Sequence, residues 1–436
     1  MFGTSGVRGP VGEDVTAELA LRIGRALGDR DRVVVGRDPR DSGRLLVDAL
    51  AAGCRECGVD VVDLGVAATP TVARAVAWEG ADVGVSVTAS HNPAPDNGIK
   101  LWQPSGQAFD EPLREEVEAR VRADDPDLAA WDGLGDRRTT DTTGRHAAAL
   151  VEAVPPCERS VVVDVGNGAG GVTVDALTDL GCTVETLNAQ PDGSFPGRPS
   201  EPTPENCESL AALVREGAAD LGIAHDGDAD RMRAVAGDGE FLSGDTLLAV
   251  LAADAAESGD RVAVPVDTSL AVEDFLAERG VETVRTPVGD VYVAAAAAEE
   301  GVAFGGEPSG AWIWPDETLC PDGPLAACRL TALDAERPLA ERAADVPTYP
   351  IRRESIEADA KAAVMERVRE AVAAEYDAAD VSTLDGVRVD RGDGWFLVRA
   401  SGTQPLVRVT AEARDPDRAD ALRETALALV EDSRRE

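Results

Sequence analysis

Ser90 stands in TASHNPAPDNGIK (88–100), directly after the apolar run ADVGVSV, with Thr88, His91 and Asn92 around it. A hydroxyl just past the carboxyl end of a parallel strand occupies the place where α/β folds put ligands, and its polar neighbours suit an incoming phosphoryl group. Taken alone, the segment is better read as an ST-turn that stabilises its own loop. The run LGIAH leads into DGDADR (226–231), where Asp226, Asp228 and Asp230 alternate with small residues. In an extended loop that period points three carboxylates to one side. Three hard oxygens without thiols or imidazoles suit Mg²⁺ with positions left open for phosphate and water. The competing reading is a solvated acidic turn in a very acidic chain. The glutamate that closes an EF-hand loop is missing.

Two further segments carry polar groups in loops. GGEPSGAW (305–312) offers Glu307 and Ser309 as an acceptor and a donor for sugar hydroxyls, or is simply a tight turn. RASGTQPLVRV (399–409) holds Arg399, Ser401, Gly402 and Thr403, with Arg408 on the following strand. Hydroxyls, backbone N–H groups around Gly402 and two guanidiniums make a cradle for a dianion; the alternative is a polar β-turn. Scarcity adds weight to some positions. The chain has only two lysines, and Lys100 lies ten residues after Ser90. Of its three histidines, His91 abuts Ser90, His225 abuts the aspartates and His146 sits in a polar stretch; for His225 a structural role is preferred. Gly166–Gly171 (GNGAGG) fits G-x-G-x-x-G after a strand, but no acidic residue ends the next strand, so a turn with a helix start is expected rather than a dinucleotide site.

These loops need elements to hold them. RVVVG, VDVVDLG and ADVGVSV read as strands separated by helices, the signature of βαβ units. The pattern restarts at SVVVDVGNGAGG (160–171) and again at RVAVPVDTS (261–269), which suggests three related blocks. From about residue 350 strands cluster between flanking helices. The expected division is 1–150, 151–247 and 248–348 as α/β domains, each carrying one of the loops above, and 349–436 as a smaller α+β domain. The stretch 123–144 is polar and broken, and a boundary is expected near its end.

The formal net charge is −39, from 81 acidic and 42 basic residues spread along the whole chain. That fits a solvated surface of the kind found in proteins adapted to high salt; a dedicated basic partner is the alternative, and nucleic acid is disfavoured. No apolar run approaches the roughly 20 residues a bilayer span needs, and MFGTSGVRGP shows no secretory pattern, so no membrane association and a cytoplasmic location are expected. Seven scattered cysteines, with Cys54 and Cys57 at a helix end, read as reduced thiols.

Taken in order, FGTSGVRG (2–9), TASHNP (88–93), DGDADR (226–231), GEPSG (306–310) and RASGTQP (399–405) resemble the α-D-phosphohexomutase family. The resemblance covers essentially the whole chain. It implies an α/β fold of three related βαβ-type domains with mixed sheets and a smaller C-terminal α+β domain around a central cleft. It implies that Ser90 carries a phosphoryl group, and that Mg²⁺ is held by Asp226, Asp228, Asp230 and an oxygen of phosphorylated Ser90. Lys100 matches the family's acid/base lysine, able to exchange a proton with the sugar if the site lowers its pKa. Arg8 and His91 complete the implied catalytic set. Arg231, Glu307 and Ser309 would bind the sugar phosphate, with Arg399, Ser401, Gly402, Thr403 and Arg408 on its non-reacting phosphate. The implied partners are a sugar phosphate and a sugar bisphosphate, and a monomer or homodimer is expected.

Within the family, DNGIK (96–100) and TPVGDVYV (286–293) look more like the phosphoglucosamine mutase branch. Ala311 stands where the family usually has histidine, and Pro287 and Val291 where basic residues are common. Phosphomannomutase, phosphoglucomutase and phosphopentomutase activities therefore stay open. So do a phosphatase and a sugar-phosphate-binding protein without catalysis.

Overall fold

Runs of valine dictate the first sheet. Val33, Val34 and Val35 are all fully buried, because both faces of the strand Arg32–Arg37 are covered, as in parallel sheets flanked by helices. Val33 and Val35 pack with Ile23, Leu46 and Leu50 of the helices Ala17–Ala26 and Gly43–Glu56. Val34 faces the opposite layer, with Val72 and Val76 of the helix Thr69–Trp78. The computed structural model describes residues 3, 6–401 and 405–435.

Four sheets follow one another along the chain. The first runs, in spatial order, Val7–Pro10, Asp96–Trp102, Val83–Val87, Arg32–Arg37, Asp60–Val66 and Arg137–Thr139. Its last member lies inside the polar stretch expected to be broken. It pairs in parallel with Asp60–Val66, from Val61 opposite Arg137 to Asp63 opposite Thr139.

The next two sheets are built alike. Ser160–Asp164 is parallel to Thr183–Leu187 and to Leu221–His225, and Met232–Ala236 returns antiparallel beside the latter. Arg261–Pro265 is parallel to Glu282–Thr286 and to Val302–Glu307, and Ala311–Ile313 returns antiparallel. In the first sheet Val83–Val87 and Asp96–Trp102 form the same antiparallel pair. The Ser90 loop, the aspartate loop and the Glu307 loop therefore occupy one topological position in three repeated units: the turn where the last parallel strand hands over to its antiparallel partner. The cores of the second and third units merge, with Val161 and Ile223 in one apolar cluster with Leu247, Leu325, Val262 and Trp312.

The fourth sheet is antiparallel in the order Ile351–Glu357, Leu406–Ala413, Gly394–Ala400, Val387–Asp390, Val381–Ser382. Alternation gives it two faces. Val398, Val407 and Val409 pack on Val364 and Val368 of the helix Lys361–Glu375. Trp395 and Leu397 point the other way, onto Val266 and Leu270 of the third unit. At that junction the fully buried carboxylate of Glu412 accepts hydrogen bonds from Ser269 Oγ (2.5 Å), Leu270 N (2.8 Å) and Trp395 Nε1 (2.8 Å). Among the described residues no helix is long and apolar enough to cross a membrane.

Candidate active site

Ser90 adopts a left-handed backbone, φ +51°, a conformation that is strained for a residue with a side chain. Its N–H donates to Thr88 Oγ1 (2.8 Å), whose hydroxyl donates to Asp38 Oδ2 (2.8 Å). Arg40, fully buried, spreads its guanidinium under the loop and donates to the carbonyls of Ser90, Asn92 and Asp96. So held, Ser90 Oγ donates to Asp226 Oδ2 at 2.5 Å, across 136 residues of sequence.

The aspartates come together, but not in an extended loop. Ala229 is left-handed, φ +56°, and it is this turn that converges Asp226, Asp228 and Asp230, whose carboxylate oxygens lie within 4.8 Å of one another. All three are buried. Burial and mutual repulsion push Asp226 up to about 6 and Asp228 and Asp230 up to about 7. Thr69 Oγ1 donates to Asp228 Oδ2 (2.6 Å), and the Thr69 N–H donates to the Asp228 carbonyl (2.8 Å), docking the start of a first-unit helix on the loop. Asp228 Oδ1 and Asp230 Oδ1 are buried without a hydrogen-bond partner. Orphaned carboxylate oxygens beside like charges are costly, and a hard divalent cation is the group that such a donor set accepts.

The glycine-rich segment turns out to be packing. A side chain on Gly168 would come within 2.7 Å of the Gly227 carbonyl, and Ala169 N donates to that same carbonyl (2.9 Å). His225 is also part of the scaffold: its Nδ1 bonds the Arg231 carbonyl (2.8 Å) and its Nε2 the Thr173 hydroxyl (2.9 Å), and burial lowers its pKa to about 4. The third histidine, His146, is fully buried between Thr71 Oγ1 and Asp322 Oδ2 despite its polar sequence context.

A cavity of about 320 Å³ joins the loops, and its wall includes Arg8, Ser90 and Lys100 from the first unit and Asp230 and Arg231 from the second. Glu307 and Ser309 face it from the third. Glu307, pushed up to about 7 by burial and by Asp290, accepts from Gly289 N (2.8 Å) and from Ser309 Oγ (3.3 Å). Lys100 forms an ion pair with Asp290. Burial works against its charge, but Asp290 and Asp230 outweigh this and hold its pKa above the ordinary lysine value, contrary to the lowering that proton exchange was expected to require. His91 Nδ1 lies 3.4 Å from Ser90 Oγ; burial and the nearby Arg231, Arg8 and Arg40 depress it to about 3, so its imidazole is neutral.

Arg399, Ser401 and Arg408 are not part of that wall. Arg399 and Arg408 are direct cross-strand neighbours, and Arg399 is paired with Asp385 (2.8 Å). Ser401 is buried, its carbonyl taken by Lys361 Nζ. Gly402 and Thr403 lie outside the described residues, as do parts of the 2–9 motif. Arg353, which sequence reasoning passed over, does line the cavity. Its strand mate Ser355 faces Arg408 across the ladder, so period 2 places Arg353 on the same face. Arg40, Thr69 and Asp290 were passed over as well; GRDPR (36–40) after the first strand was the one local sign of Arg40.

The Ser90 loop, the aspartate loop and the Glu307 loop, each on one of three repeated α/β units and meeting at one polar cavity, define a phosphosugar-handling α/β enzyme fold. Comparison with known families follows the same division. Phosphoglucomutase/phosphomannomutase α/β/α domains I, II and III match residues 1–127, 144–239 and 243–349, and the C-terminal domain matches 354–429. A Methanopyrus kandleri protein named "Probable phosphoglucosamine mutase" is 46% identical over 98% of this chain and 97% of its own. A Methanothermobacter thermautotrophicus protein of the same name is also 46% identical, over 99% and 98%. The crystal structure of a Burkholderia thailandensis phosphoglucomutase/phosphomannomutase family protein superposes with a TM-score of 0.88 at 28% identity, covering 99% of this chain and 98% of that one. The chain belongs to the phosphoglucomutase/phosphomannomutase family.

Proposed function

We propose that the chain is a phosphohexomutase that interconverts a sugar 6-phosphate and a sugar 1-phosphate through phosphorylated Ser90 and a bisphosphate intermediate, with glucosamine 6-phosphate and glucosamine 1-phosphate as its pair. The relatives at 46% identity carry that activity in their names. The observation that carries the chemistry is the 2.5 Å hydrogen bond from Ser90 Oγ to Asp226, which brings a strained hydroxyl and a cation-hungry carboxylate trio to one point.

Asp226, Asp228 and Asp230 would hold Mg²⁺ together with an oxygen of phosphorylated Ser90. When bound, the ion supplies neutralisation of the phosphoryl charge, which such transfers need more than covalent chemistry. Arg8, Arg231 and Arg353 add fixed positive charge around the cavity. Lys100, held as an ammonium by Asp290, donates a proton to the sugar oxygen as the phosphoryl leaves it for Ser90 Oγ, whose own proton passes to Asp226, and takes the proton back from the sugar hydroxyl in the reverse transfer. Neutral His91 stands with Nδ1 3.4 Å from Oγ, whose own proton goes to Asp226. Glu307 and Ser309 bind hydroxyls and so orient the ring. Arg399 and Arg408, with Ser401, Gly402 and Thr403, hold the non-reacting phosphate in each of the two orientations; Arg399 must leave Asp385 to do so.

Intact mass after incubation with glucose 1,6-bisphosphate tests the phosphoserine. One added phosphoryl group on the wild type and none on Ser90→Ala is expected, with turnover abolished and the fold intact. A wild type that takes up nothing refutes the reading. Coupled assays across glucosamine, glucose, mannose and pentose phosphates test the substrate, and equal turnover of glucosamine and glucose phosphates removes the preferred pair.

A further inference from the structure

The strained peptide of Ser90 is fixed from two sides. Its carbonyl accepts from Arg40 Nη2 (3.0 Å), in its own unit, and from Ser200 Oγ (2.7 Å), 110 residues on and in the second unit. The Ser200 hydroxyl also accepts from Gly227 N (3.0 Å), in the middle of the aspartate loop. One buried hydroxyl thus ties the backbone of the nucleophile loop to the backbone of the metal loop. The approach leaves no room for a side chain at Gly227, which would meet Ser200 Oγ at 2.8 Å and the Ser90 carbonyl at 2.9 Å.

Ser200 is itself rigidly presented. The neighbouring Arg198, buried, donates to the Ser200 carbonyl (3.2 Å), to the His225 carbonyl (2.6 Å) and to Asp164 Oδ2 (2.7 Å). Phe195 of the same loop lies under the Arg40 guanidinium, 4.9 Å from its ring centre. Gly193 leaves no space for a side chain against Arg40 Cα, 2.3 Å from where its Cβ would be. The Pro/Gly-rich loop at 191–204 is therefore a wedge between the two catalytic loops.

Turning the Ser90 peptide away from φ +51° would swing Oγ off Asp226. We infer that Ser200 is a positioning residue, whose hydroxyl locks the left-handed Ser90 peptide to the aspartate loop and so sets where the phosphoryl-carrying oxygen stands relative to the carboxylates. This rests on Ser90 being the phosphoryl carrier. Without the hydroxyl, the Ser90 carbonyl keeps Arg40 alone, and the Gly227 N–H loses its acceptor.

The test compares Ser200→Ala, Ser200→Cys and Ser200→Thr with the wild type. The readouts are the rate of phosphoryl uptake from glucose 1,6-bisphosphate by intact mass, kcat and KM for the sugar phosphate, and Tm. Ser200→Ala should slow uptake and kcat about tenfold while KM stays within about twofold, since the lost interaction aims the nucleophile and does not touch the sugar. Ser200→Cys, which refills the volume with a weak hydrogen-bonding group, should remain slow. Ser200→Thr, which keeps a hydroxyl, should recover to within roughly threefold. Uptake and kcat of Ser200→Ala within about twofold of the wild type, or full recovery by Ser200→Cys, would overturn the inference and leave Ser200 as packing. Should Ser200→Ala fail to fold, the Cys–Thr comparison decides. A wild type that takes up no phosphoryl group is a separate outcome: it removes the phosphoserine reading and this inference with it.

Discussion

Glu412→Ala takes away the acceptor that Ser269, Leu270 and Trp395 share where the third and fourth units meet. A hydrogen bond to a charged group contributes about 1.5–3 kcal/mol, and water entering the space left behind restores part of what three such bonds contribute, which puts the loss at roughly 3–5 kcal/mol. Glu412→Gln is a sharper probe of the same site. Its amide oxygen can keep Leu270 N and Trp395 Nε1, and its NH₂ can face Ser269 Oγ if that hydroxyl turns to accept, so a cost of about 1 kcal/mol or less is expected. Burial raises the Glu412 pKa, with its three donors opposing. A raised carboxyl pKa gives stability that is present below the unfolded value and lost as pH rises through the folded one. Glutamine has no such loss, so Glu412→Gln should gain on the wild type as pH rises. Urea unfolding followed by tryptophan emission measures this directly, because Trp395 donates its indole N–H to the altered group. Ser90 belongs to another unit, whereas Arg399 and Arg408 share the sheet of Glu412. In the alanine variant KM for the sugar phosphate should therefore rise, while the extent of phosphoryl uptake at Ser90 from saturating glucose 1,6-bisphosphate is unchanged. The reasoning fails if Ala and Gln cost the same, or if Ala lies within about 1 kcal/mol of the wild type.

The aspartate trio gives a pH-dependent prediction of definite sign. With Asp226, Asp228 and Asp230 raised to about 6 and 7, the metal-free protein should lose stability between about pH 5 and pH 8, and Mg²⁺ should raise Tm more at about pH 8; equal shifts at both pH values in a thermal melt would place the ion elsewhere. Asp228→Asn should stabilise the metal-free protein at about pH 8 yet weaken Mg²⁺ about tenfold or more by calorimetry, because one ligand charge is gone; unaltered Mg²⁺ affinity contradicts the trio as its site. Asp290→Asn removes the partner that keeps Lys100 charged, so the basic limb of the kcat/KM profile should move toward acid. An unmoved limb removes Lys100 from proton exchange. Gly227→Ala should cut turnover about a hundredfold or more by forcing Ser90 and Ser200 apart, and near-normal kinetics would mean the loops tolerate separation.

The candidate loops were legible in the sequence because each is local: a strand, a turn and its polar residues fit within about a dozen positions. The repetition of units showed in the valine runs, which answer to burial on both faces. What holds the loops together was not legible, because it is long-range. Arg40 reaches Ser90 over 50 residues, Ser200 over 110, and Thr69 reaches Asp228 over 159, and nothing in GRDPR or GRPS announces its target. The aspartates were expected from an extended period and arrive through a left-handed turn at Ala229, a conformation alanine does not advertise. The strand Arg137–Thr139 is three exposed residues, RRT, with no apolar alternation to mark it. Lys100 is raised rather than lowered because its partner, Asp290, comes from another unit.

The order of the units along the chain has a consequence for synthesis. A ribosome makes Ser90, Arg40 and Asp38 first, yet the hydroxyl that locks the serine and the carboxylates beside it arrive with residues 200–230. The paired arginines of the fourth sheet follow only with residues 399–408. A nascent or prematurely released chain therefore presents Ser90 with neither the aspartate trio beside it nor the arginine pair of the fourth sheet.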